Sequence, residues 1–319
     1  MDNYINFVFC IDDNYNLQTS SCILSLLENI DEKINIFIIH KTMSNSSFLS
    51  DKILENKNLN EIKIFKFDRK NKNFPNVEGK HVSEATYYRL YLEDYINPIN
   101  SNVKFITYLD GDIICLQNPL KEIKKIISKM KNEKYVISAN TETIRNSDSE
   151  HRFNSLGMNS NKYFNAGVMI INLEEWFSLG IKEKSAEIIK TKSQHLELWD
   201  QDVLNICFDN NYLELDNNLN FRFDILKFNE SLLKKINSNA KLLHYYGSTK
   251  PWSIKGIIYG CPTHYQESYR NLDISKYHIT HKWRRLSLFV LIGSILNLKF
   301  FKIEHRTKFL IDALKSFIS

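Results

Sequence analysis

Residues 106–115, with the sequence ITYLDGDIIC, decide the fold. The apolar, β-branched run over residues 104–110 predicts a strand, and it leads into Asp110-Gly111-Asp112. Two carboxylates separated by one residue can project to the same side, and the glycine lets a ligand approach the backbone. Such hard oxygen ligands suit Mg²⁺ or Mn²⁺, with phosphate completing the coordination shell. A solvated Asp-Gly turn has the same pattern, so this stretch alone leaves both interpretations open.

Strand and helix patterns alternate through the first half of the chain. Strands are predicted at 5–11, 34–40, 62–68 and 104–110, and helices at 17–30, 46–57 and 83–95. The alternation predicts an α/β fold with right-handed crossovers and a mostly parallel sheet covered on both faces. Ligands bind at the carboxyl ends of the strands in such sheets, so Asp12-Asp13 and Asp110-Gly111-Asp112 should meet at one edge.

The second half is less regular but contains a second polar cluster. Its predicted elements are a strand at 135–139, a buried strand within 163–172, helices at 174–190 and 200–208, and a short strand at 241–245. The segment LHYYGSTKPW, which ends at Trp252, supplies His244, Gly247 and Lys250. An imidazole beside two carboxylates favours Mn²⁺ over Mg²⁺, while close backbone N–H groups and a lysine suit a pyrophosphate. A core histidine next to a surface lysine is the alternative.

Charge and cysteine content narrow the class of protein. The chain has 319 residues and a net charge of +5. From Lys282 to the end, eight Lys or Arg face Glu304 and Asp312, a net of +6, so the rest carries −1. A nucleic-acid binder would carry its positive charge on the folded domain, so we expect no nucleic-acid partner. Five scattered cysteines and an N-terminus without signal-peptide features predict reduced thiols in a cytoplasmic protein.

Six motifs, in this order, resemble those of glycosyltransferase family 8, a family of retaining enzymes that includes bacterial lipooligosaccharide galactosyltransferases. They are FCIDDNY (9–15), ATYYRLYLEDYI (85–96), ITYLDGDIIC (106–115), YFNAGVMIINLEEW (163–176), WDQDVLN (199–205) and LHYYGSTKPW. The resemblance covers roughly the first 255 residues. It implies a GT-A fold, in which a Rossmann-like nucleotide half is fused to an acceptor half, with a divalent metal bridging the diphosphate of a UDP-sugar.

The resemblance also implies roles for particular residues. The metal ligands would be Asp110, Asp112 and His244. The uracil and ribose would contact Asp12, Asn14 and Asp110, and the diphosphate would contact Gly247 and Lys250, with Gly111 also in the nucleotide-binding part of the site. The residues around the donor sugar would be Arg89, Asn165, Ala166, Asp200 and Gln201. A carboxylate and amides can hold sugar hydroxyls by directional hydrogen bonds and stabilise an oxocarbenium-like centre.

Three of these residues also have plain structural interpretations. Arg89 could form a surface ion pair with Glu93 at i+4, Asn165 could cap a turn before Gly167, and Asp200 could be a helix N-cap.

One position departs from the family pattern. Some galactosyltransferases carry an acceptor-contacting acid after the strand at 135–139, where Asn140 stands here. Asn140 keeps hydrogen bonding without the charge, which affects the expected acceptor.

The tail predicts membrane attachment. We divide the chain into a catalytic domain, 1–268, and a basic amphipathic C-terminal tail, 269–319. Residues 286–298 are mostly apolar and flanked by Lys and Arg, but a span needs about 20 residues. They fit helices lying on the anionic inner face of the cytoplasmic membrane, and a terminal helix docked on the protein is the alternative. Because the tail follows the last motif, a chain ending near Tyr277 is expected to stay folded.

The predicted function is transfer of galactose or glucose from a UDP-sugar to an oligosaccharide or lipid-linked glycan acceptor of a bacterial surface polysaccharide. Two alternatives remain. A nucleotidyltransferase that makes sugar nucleotides would carry a Gly-rich, basic loop after its first strand, where this chain has the acidic DDNY. A non-catalytic glycan-binding module would not need the set of Asp110, Asp112, His244 and Lys250.

Overall fold

The computed structural model describes residues 4–70, 72, 74–75, 83–97, 99, 102–142, 146–260 and 263–318. The strands are β1 Ile5–Ile11, β2 Ile34–His40, β3 Leu59–Lys66, β4 Phe105–Leu109, β5 Ile113–Cys115, β6 Ile137–Thr141, β7 Phe164–Asn172, β8 Leu213–Glu214, β9 Phe221–Arg222 and β10 Leu242–His244. The α-helices are α1 Asn16–Asn29, α2 Asp51–Leu54, α3 Leu120–Glu133, α4 Asn146–Leu156, α5 Leu173–Ser178, α6 Ile181–Lys192, α7 Trp199–Cys207, α8 Glu230–Asn239, α9 Ile254–Tyr259, α10 Thr263–Asn271, α11 Arg284–Leu296 and α12 Arg306–Ile318. The 3₁₀ helices are Asp13–Tyr15, Glu84–Asp94, Asn217–Asn220, Ile225–Lys227 and Lys299–Lys302.

A seven-stranded sheet in the order β3-β2-β1-β4-β7-β6-β8 forms the centre of the fold. Strands β3, β2, β1 and β4 are parallel, β7 runs antiparallel to both of its neighbours, and β6 and β8 are parallel. The prediction of a mostly parallel α/β sheet is therefore confirmed.

Apolar layers cover both faces of this sheet. Alternate residues of β1 separate between them: Phe7 and Phe9 pack with α1 and α3, while Val8 and Cys10 pack with the Glu84–Asp94 helix and α5–α7. This is the period-2 alternation expected of a strand that is buried on both sides. Because β1 and β4 are parallel neighbours, Asp12 and Asp110 follow them at the same edge.

A second sheet of three short strands, β5-β10-β9, lies behind that edge. Strand β10 pairs antiparallel with β5, which places His244 opposite Ile113, the residue after Asp112. We did not predict β5, β9 or this sheet, because strands of two or three residues are too short to show a periodicity.

Other sequence-based elements need correction. The helix predicted at 46–57 is only α2, Asp51–Leu54, because the Ser- and Asn-rich segment before it favours turns. The helix predicted at 83–95 is a 3₁₀ helix, Glu84–Asp94, that is buried nearly all round. The helix predicted at 174–190 divides into α5 and α6 at Gly180, whose φ of 61° ends the first one.

The C-terminal helices dock on the protein by one face. A separate core cluster joins the tail to α9. Its members are Leu291, Phe300, Phe309 and Ala313 of the tail helices, Tyr277, and Ile254, Ile257 and Ile258 of α9. The boundary drawn at residue 268 falls inside α10, and Tyr269 still packs in the catalytic core. None of the helices in the described ranges is long and apolar enough to cross a membrane.

The cysteines follow the prediction where the structure describes them. Cys10, Cys22, Cys115 and Cys207 are free thiols, and Cys261 lies outside the described residues.

Candidate active site

A cavity of about 410 Å³ opens at the carboxyl ends of β1 and β4. Twelve of the thirteen predicted site residues line it: Asp12, Arg89, Asp110, Gly111, Asp112, Asn165, Ala166, Asp200, Gln201, His244, Gly247 and Lys250. The exception is Asn14, an exposed residue that donates its backbone N–H to Asp12 Oδ1 at 3.0 Å and so orients that carboxylate.

Asp110, Asp112 and His244 form a compact set of metal-ligating groups. Their ligand atoms all lie within 4.8 Å of one another. His244 Nδ1 faces Asn220 Oδ1 at 2.9 Å, and its Nε2 lies 3.4 Å from Asp112 Oδ1. A ring whose Nδ1–H is donated to Asn220 presents the lone pair of Nε2 toward the two carboxylates, as a metal-ligating histidine does.

Two further observations show that these residues fit a divalent metal ion. Asp112 Oδ1 is buried and has no hydrogen-bond partner among the residues that the structure describes, which is costly for a carboxylate oxygen. A Cβ at Gly167 would lie 2.4 Å from His244 Cε1 and 2.9 Å from Asp110 Oδ2, so only glycine leaves the ligand atoms room there. Two carboxylates and an imidazole are a donor set for a divalent cation.

Lys250 stands beside this cluster. Its Nζ lies 2.5 Å from Asp112 Oδ2 and donates to the Tyr245 carbonyl oxygen at 2.8 Å. Burial acts to raise the pKa of Asp112, but the adjacent Lys250 ammonium holds it well below its ordinary value. The carboxylate is thus fully ionised, as a metal ligand must be. Gly247, with a φ of 87°, adopts the backbone conformation that lets the chain turn between His244 and Lys250.

The role of Gly111 differs from its sequence-based explanation. A Cβ at this position would meet Thr19 Oγ1 at 2.7 Å and Tyr15 Cδ1 at 3.0 Å. The glycine is therefore required by the packing of α1 and the preceding turn, rather than by the approach of a ligand to the backbone.

Arg89 ties the metal cluster to the far side of the cavity. Its Nη2 donates to Asp110 Oδ1 at 2.8 Å, its Nε lies 2.9 Å from Asp200 Oδ2, and its Nη1 donates to the Ala166 carbonyl at 2.6 Å. Arg89 is buried, and the surface ion pair with Glu93 is not formed. Burial acts to lower the pKa of Arg89, but Asp110 and Asp200 raise it, so the guanidinium stays charged.

Asp200 lies in the first turn of α7, whose N-cap is Leu198, so the interpretation of Asp200 as the N-cap is wrong. Its carboxylate accepts a hydrogen bond from the Thr86 hydroxyl as well as contacting Arg89. Burial raises the pKa of the Asp200 carboxyl to about 6, in spite of the opposing charge of Arg89. We therefore expect the ionisation of Asp200 to change within the pH range in which activity is assayed.

Gln201 and Asn165 are held in place by backbone groups. Gln201 Oε1 accepts from the Ala166 N–H at 2.9 Å, and Asn165 Oδ1 accepts from the Gly167 N–H at 3.1 Å, the local turn considered from the sequence. Their amide NH₂ groups lie 3.4 Å and 3.5 Å from Glu142 Oε2.

Glu142 was missed in the sequence, and it corrects the interpretation of Asn140. The Asn140 side chain is buried and donates to Leu215 O and Asn217 Oδ1, away from the cavity. Glu142 lines the cavity instead. Glu142 follows the last residue of β6, Thr141, so strand alternation does not fix the direction of its side chain. The cavity thus keeps a carboxylate, two residues beyond Asn140.

Asp202, a second carboxylate of the WDQDVLN motif, is used structurally. Its Oδ1 accepts from Tyr163 and Arg152 at 2.5 Å each, and its Oδ2 accepts from the Glu197 and Leu198 N–H groups at 2.8 Å and 2.7 Å. It does not line the cavity, and it fixes the segment before Trp199.

The architecture has close counterparts among solved structures. A galactosyltransferase, LgtC, solved with donor and acceptor sugar analogues, superimposes with a TM-score of 0.68 at 21% identity, over 88% of this chain and 99% of the other. The mostly parallel sheet with its acidic edge is that of a GT-A glycosyltransferase.

The sequence itself matches the model of glycosyl transferase family 8 over residues 6–256, and the chain belongs to that family. It is 30% identical to a lipopolysaccharide 1,2-glucosyltransferase of Escherichia coli, over 77% of this chain and 73% of that protein. It is 27% identical to a lipopolysaccharide 1,3-galactosyltransferase of Salmonella typhimurium, over 77% and 72%. It is also 28% identical to general stress protein A of Bacillus subtilis, over 79% and 88%. The protein is therefore a hexosyltransferase that uses a sugar-nucleotide donor, a divalent metal and a glycan acceptor.

Proposed function

We propose that the protein transfers galactose or glucose from a UDP-sugar to a saccharide acceptor of a bacterial surface glycan, such as a lipooligosaccharide or capsule, with retention of configuration. The observation that carries this proposal is the shared cavity, in which the Asp110, Asp112 and His244 cluster lies beside Lys250 and, through Arg89, opposite Asp200. The metal cluster and Lys250 suit a diphosphate, and Asp200 suits a sugar ring.

Each residue has a part in this scheme. Asp110, Asp112 and His244 would hold Mn²⁺, favoured over Mg²⁺ by the imidazole, and the ion when bound offsets the charge that develops on the leaving diphosphate. Lys250 would exchange its contact with Asp112 for the diphosphate. Asp12, with Asn14 behind it, would hold the nucleoside. Asn165, Ala166, Gln201 and Asp200 would orient the donor sugar through hydrogen bonds to its hydroxyl groups.

Retention requires either a carboxylate nucleophile or substitution on a single face. Asp202 is surrounded by four hydrogen-bond donors outside the cavity, the Gln201 amide oxygen is held by the Ala166 N–H, and Asp200 is paired with Arg89. Because none of these WDQDVLN side chains is a free nucleophile, we favour same-face substitution, in which a departing phosphate oxygen takes the proton of the incoming hydroxyl. Asp200 would stabilise the positive charge at the anomeric carbon.

The proposal is tested by incubating the protein with a panel of UDP-sugars and Mn²⁺ and measuring UDP release with and without oligosaccharide acceptors. We expect release with one hexose donor, UDP-galactose or UDP-glucose, to exceed release with the others. A glycan-binding module would bind UDP and Mn²⁺ in a calorimetric titration without turnover. A nucleotidyltransferase would release pyrophosphate from UTP and a sugar phosphate instead. Either result would contradict transfer.

We further propose that the catalytic unit, 1–268, works at the anionic inner face of the cytoplasmic membrane, to which the tail, 269–319, attaches it. The support is the net charge of +6 over residues 282–319 and the row of apolar side chains that the docked helices leave exposed. Leu286 of α11 is 61% exposed and Leu296 is 80% exposed, although Leu291 of the same helix is buried. Docking and membrane contact therefore use opposite faces of the same helix.

Full-length Leu286→Ser/Leu296→Ser should lose about 100-fold in partition onto anionic vesicles, because burial of each leucine contributes about 1.5 kcal/mol or more. Cosedimentation measures the partition. The matched control is Leu54→Ser/Leu226→Ser, which changes two exposed leucines of the catalytic unit. Equal partition of the two double variants would contradict the membrane role.

Point variants are preferable to the truncation near Tyr277. Removing α11 and α12 would expose Ile257, Ile258 and Tyr277, so truncation should lower the melting temperature. The sequence-based expectation is that a chain ending near Tyr277 stays folded, and the packing of α11 and α12 adds that it should be less stable.

A further inference from the structure

A second cavity, of about 370 Å³, lies where the tail meets α9 and α10. It shares no lining residue with the catalytic cavity. The 3₁₀ helix Lys299–Lys302 forms one side, and the end of α9 forms the other.

The walls of this cavity combine an apolar floor with a cationic rim. Ile257, Ile258, Ile303 and Phe228 supply the aliphatic and aromatic floor. The rim carries Arg270, Lys299 and Lys302 against a single carboxylate, Glu304. The three cations form no ion pair with any carboxylate in the part of the chain that the structure describes.

Two of these cations lie against aromatic rings. Lys299 Nζ is 4.0 Å from the centroid of the Tyr259 ring, and the Arg270 guanidinium is 5.6 Å from that of Tyr277. Cation–π contacts of this kind hold the two cationic side chains at the mouth of the cavity. The Tyr277 hydroxyl, by donating to the Glu304 carbonyl at 2.5 Å, fixes the opposite edge.

This combination selects for an amphiphile. A phosphate group would be attracted to the unpaired cations, whereas the isoleucine floor would gain only from an attached hydrocarbon or glycerol segment. A free sugar phosphate or nucleotide would place hydroxyl groups against that floor without hydrogen-bond partners.

The surroundings of the mouth indicate where such a ligand comes from. Leu298 and Phe301 flank Lys299 and Lys302 in the chain, and they are 66% and 52% exposed. A surface that places these two side chains in the acyl region brings the adjacent lysines to the level of the lipid phosphates. The cavity would then open directly onto the headgroup layer.

We propose that this cavity binds the phosphate headgroup of one anionic phospholipid, with the adjoining glycerol and upper acyl chain on the isoleucine floor. The inference rests on the membrane part of the proposed function and makes it specific. Membrane attachment through exposed leucines and diffuse charge needs no such site. The lipid site and the membrane attachment can therefore be contradicted independently.

The test is a calorimetric titration of the full-length protein with dihexanoyl phosphatidylglycerol as a soluble monomer, with inorganic phosphate as the second arm. We expect saturable binding of one lipid per chain and at least tenfold weaker binding of phosphate. Lys299→Ala/Lys302→Ala should weaken lipid binding by at least tenfold. Lys308→Ala/Lys315→Ala removes the same charge from α12, outside the cavity, and should leave it unchanged.

Partition onto anionic vesicles reports general electrostatic attraction, since removing any two surface lysines should weaken partition by about 30-fold through charge alone. The titration with soluble lipid reports the site itself. Equal effects of the two double variants on the titration would overturn the proposal, as would absence of saturable lipid binding or phosphate binding as tight as that of the lipid. Saturable lipid binding by a protein that ignores anionic vesicles would support the site and contradict the membrane role.

Discussion

Replacing Asp112 with asparagine should lower kcat by about 10³, because metal-ion stabilisation of the leaving diphosphate contributes several kcal/mol, and 1.4 kcal/mol is tenfold in rate. Asparagine keeps the shape of the side chain, but it removes the charge that the cation needs and replaces one acceptor oxygen with an NH₂ donor. Asp112 is central to the cluster, with His244 on one oxygen and Lys250 on the other. Steady-state kinetics with the preferred UDP-sugar measures the effect.

Metal binding itself provides a readout that does not depend on turnover. We expect a Mn²⁺ titration, followed by electron paramagnetic resonance, to show tight binding by the wild type and none by the Asp112→Asn variant. Asp51→Asn removes an exposed acid from α2 and should match the wild type in both experiments. Far-UV circular dichroism should be unchanged in both variants. Full activity of Asp112→Asn, or wild-type activity that survives excess EDTA, would refute the metal assignment.

The half of the site that follows long strands could be predicted from the sequence. Strand β1 matches its prediction at both ends, and β4 begins and ends within one residue of its own. Both are strongly apolar, and each ends where carboxylates begin, so periodicity and turn chemistry agree on the boundary. Parallel pairing then brings Asp12 and Asp110 together without further information.

The position of His244 could not be derived in this way. It reaches Asp112 because β10, which the sequence predicts, pairs with β5, which is too short to show a periodic signal. The ring of His244 is also turned by Asn220, in a separate segment. Only the family resemblance placed His244 with the carboxylates. Long-range pairing of short strands is decided by tertiary packing, which a local pattern does not contain.

Glu142 illustrates a second kind of limit. Side chains alternate strictly along a regular strand, but Glu142 lies one residue beyond the end of β6. A periodic pattern therefore does not predict that its side chain enters the cavity while that of Asn140 does not. For the tail, the sequence predicts membrane attachment with docking on the protein as the alternative, and no local pattern indicates that α11 and α12 pack against α9 through one face.

We expect Lys250→Ala to change UDP affinity and Asp200→Asn to change kcat. Lys250 would meet a charge that is present in UDP itself, so its loss should weaken UDP affinity by roughly 10- to 100-fold, the range of a charge-assisted hydrogen bond. Asp200 would act on positive charge that develops only as the glycosidic bond breaks. Asp200→Asn should therefore leave UDP affinity unchanged and lower kcat by about 10²–10³.

Calorimetry with UDP and Mn²⁺ gives the affinities, and Lys255→Ala, an exposed lysine of α9, is the charge-matched control for Lys250→Ala. Arg89 keeps its contact with Asp110 in Asp200→Asn, so the buried guanidinium is not left alone. The opposite result would be a Lys250→Ala variant with normal UDP affinity and a lower kcat. It would mean that the diphosphate and sugar halves of the site are assigned the wrong way round.

The pH profile adds an independent test of Asp200. Burial raises the pKa of its carboxyl to about 6, so the protonated, neutral form predominates below that pH and the carboxylate above it. Because the negative form is the one that stabilises an oxocarbenium-like centre, wild-type kcat should rise as the pH increases from about 5 to 7. Asn cannot ionise, so this inflection should be absent from Asp200→Asn while the metal-dependent part of the profile persists. An unchanged inflection in that variant would assign the titration to another group, and Asp200 would then be a residue that only positions Arg89.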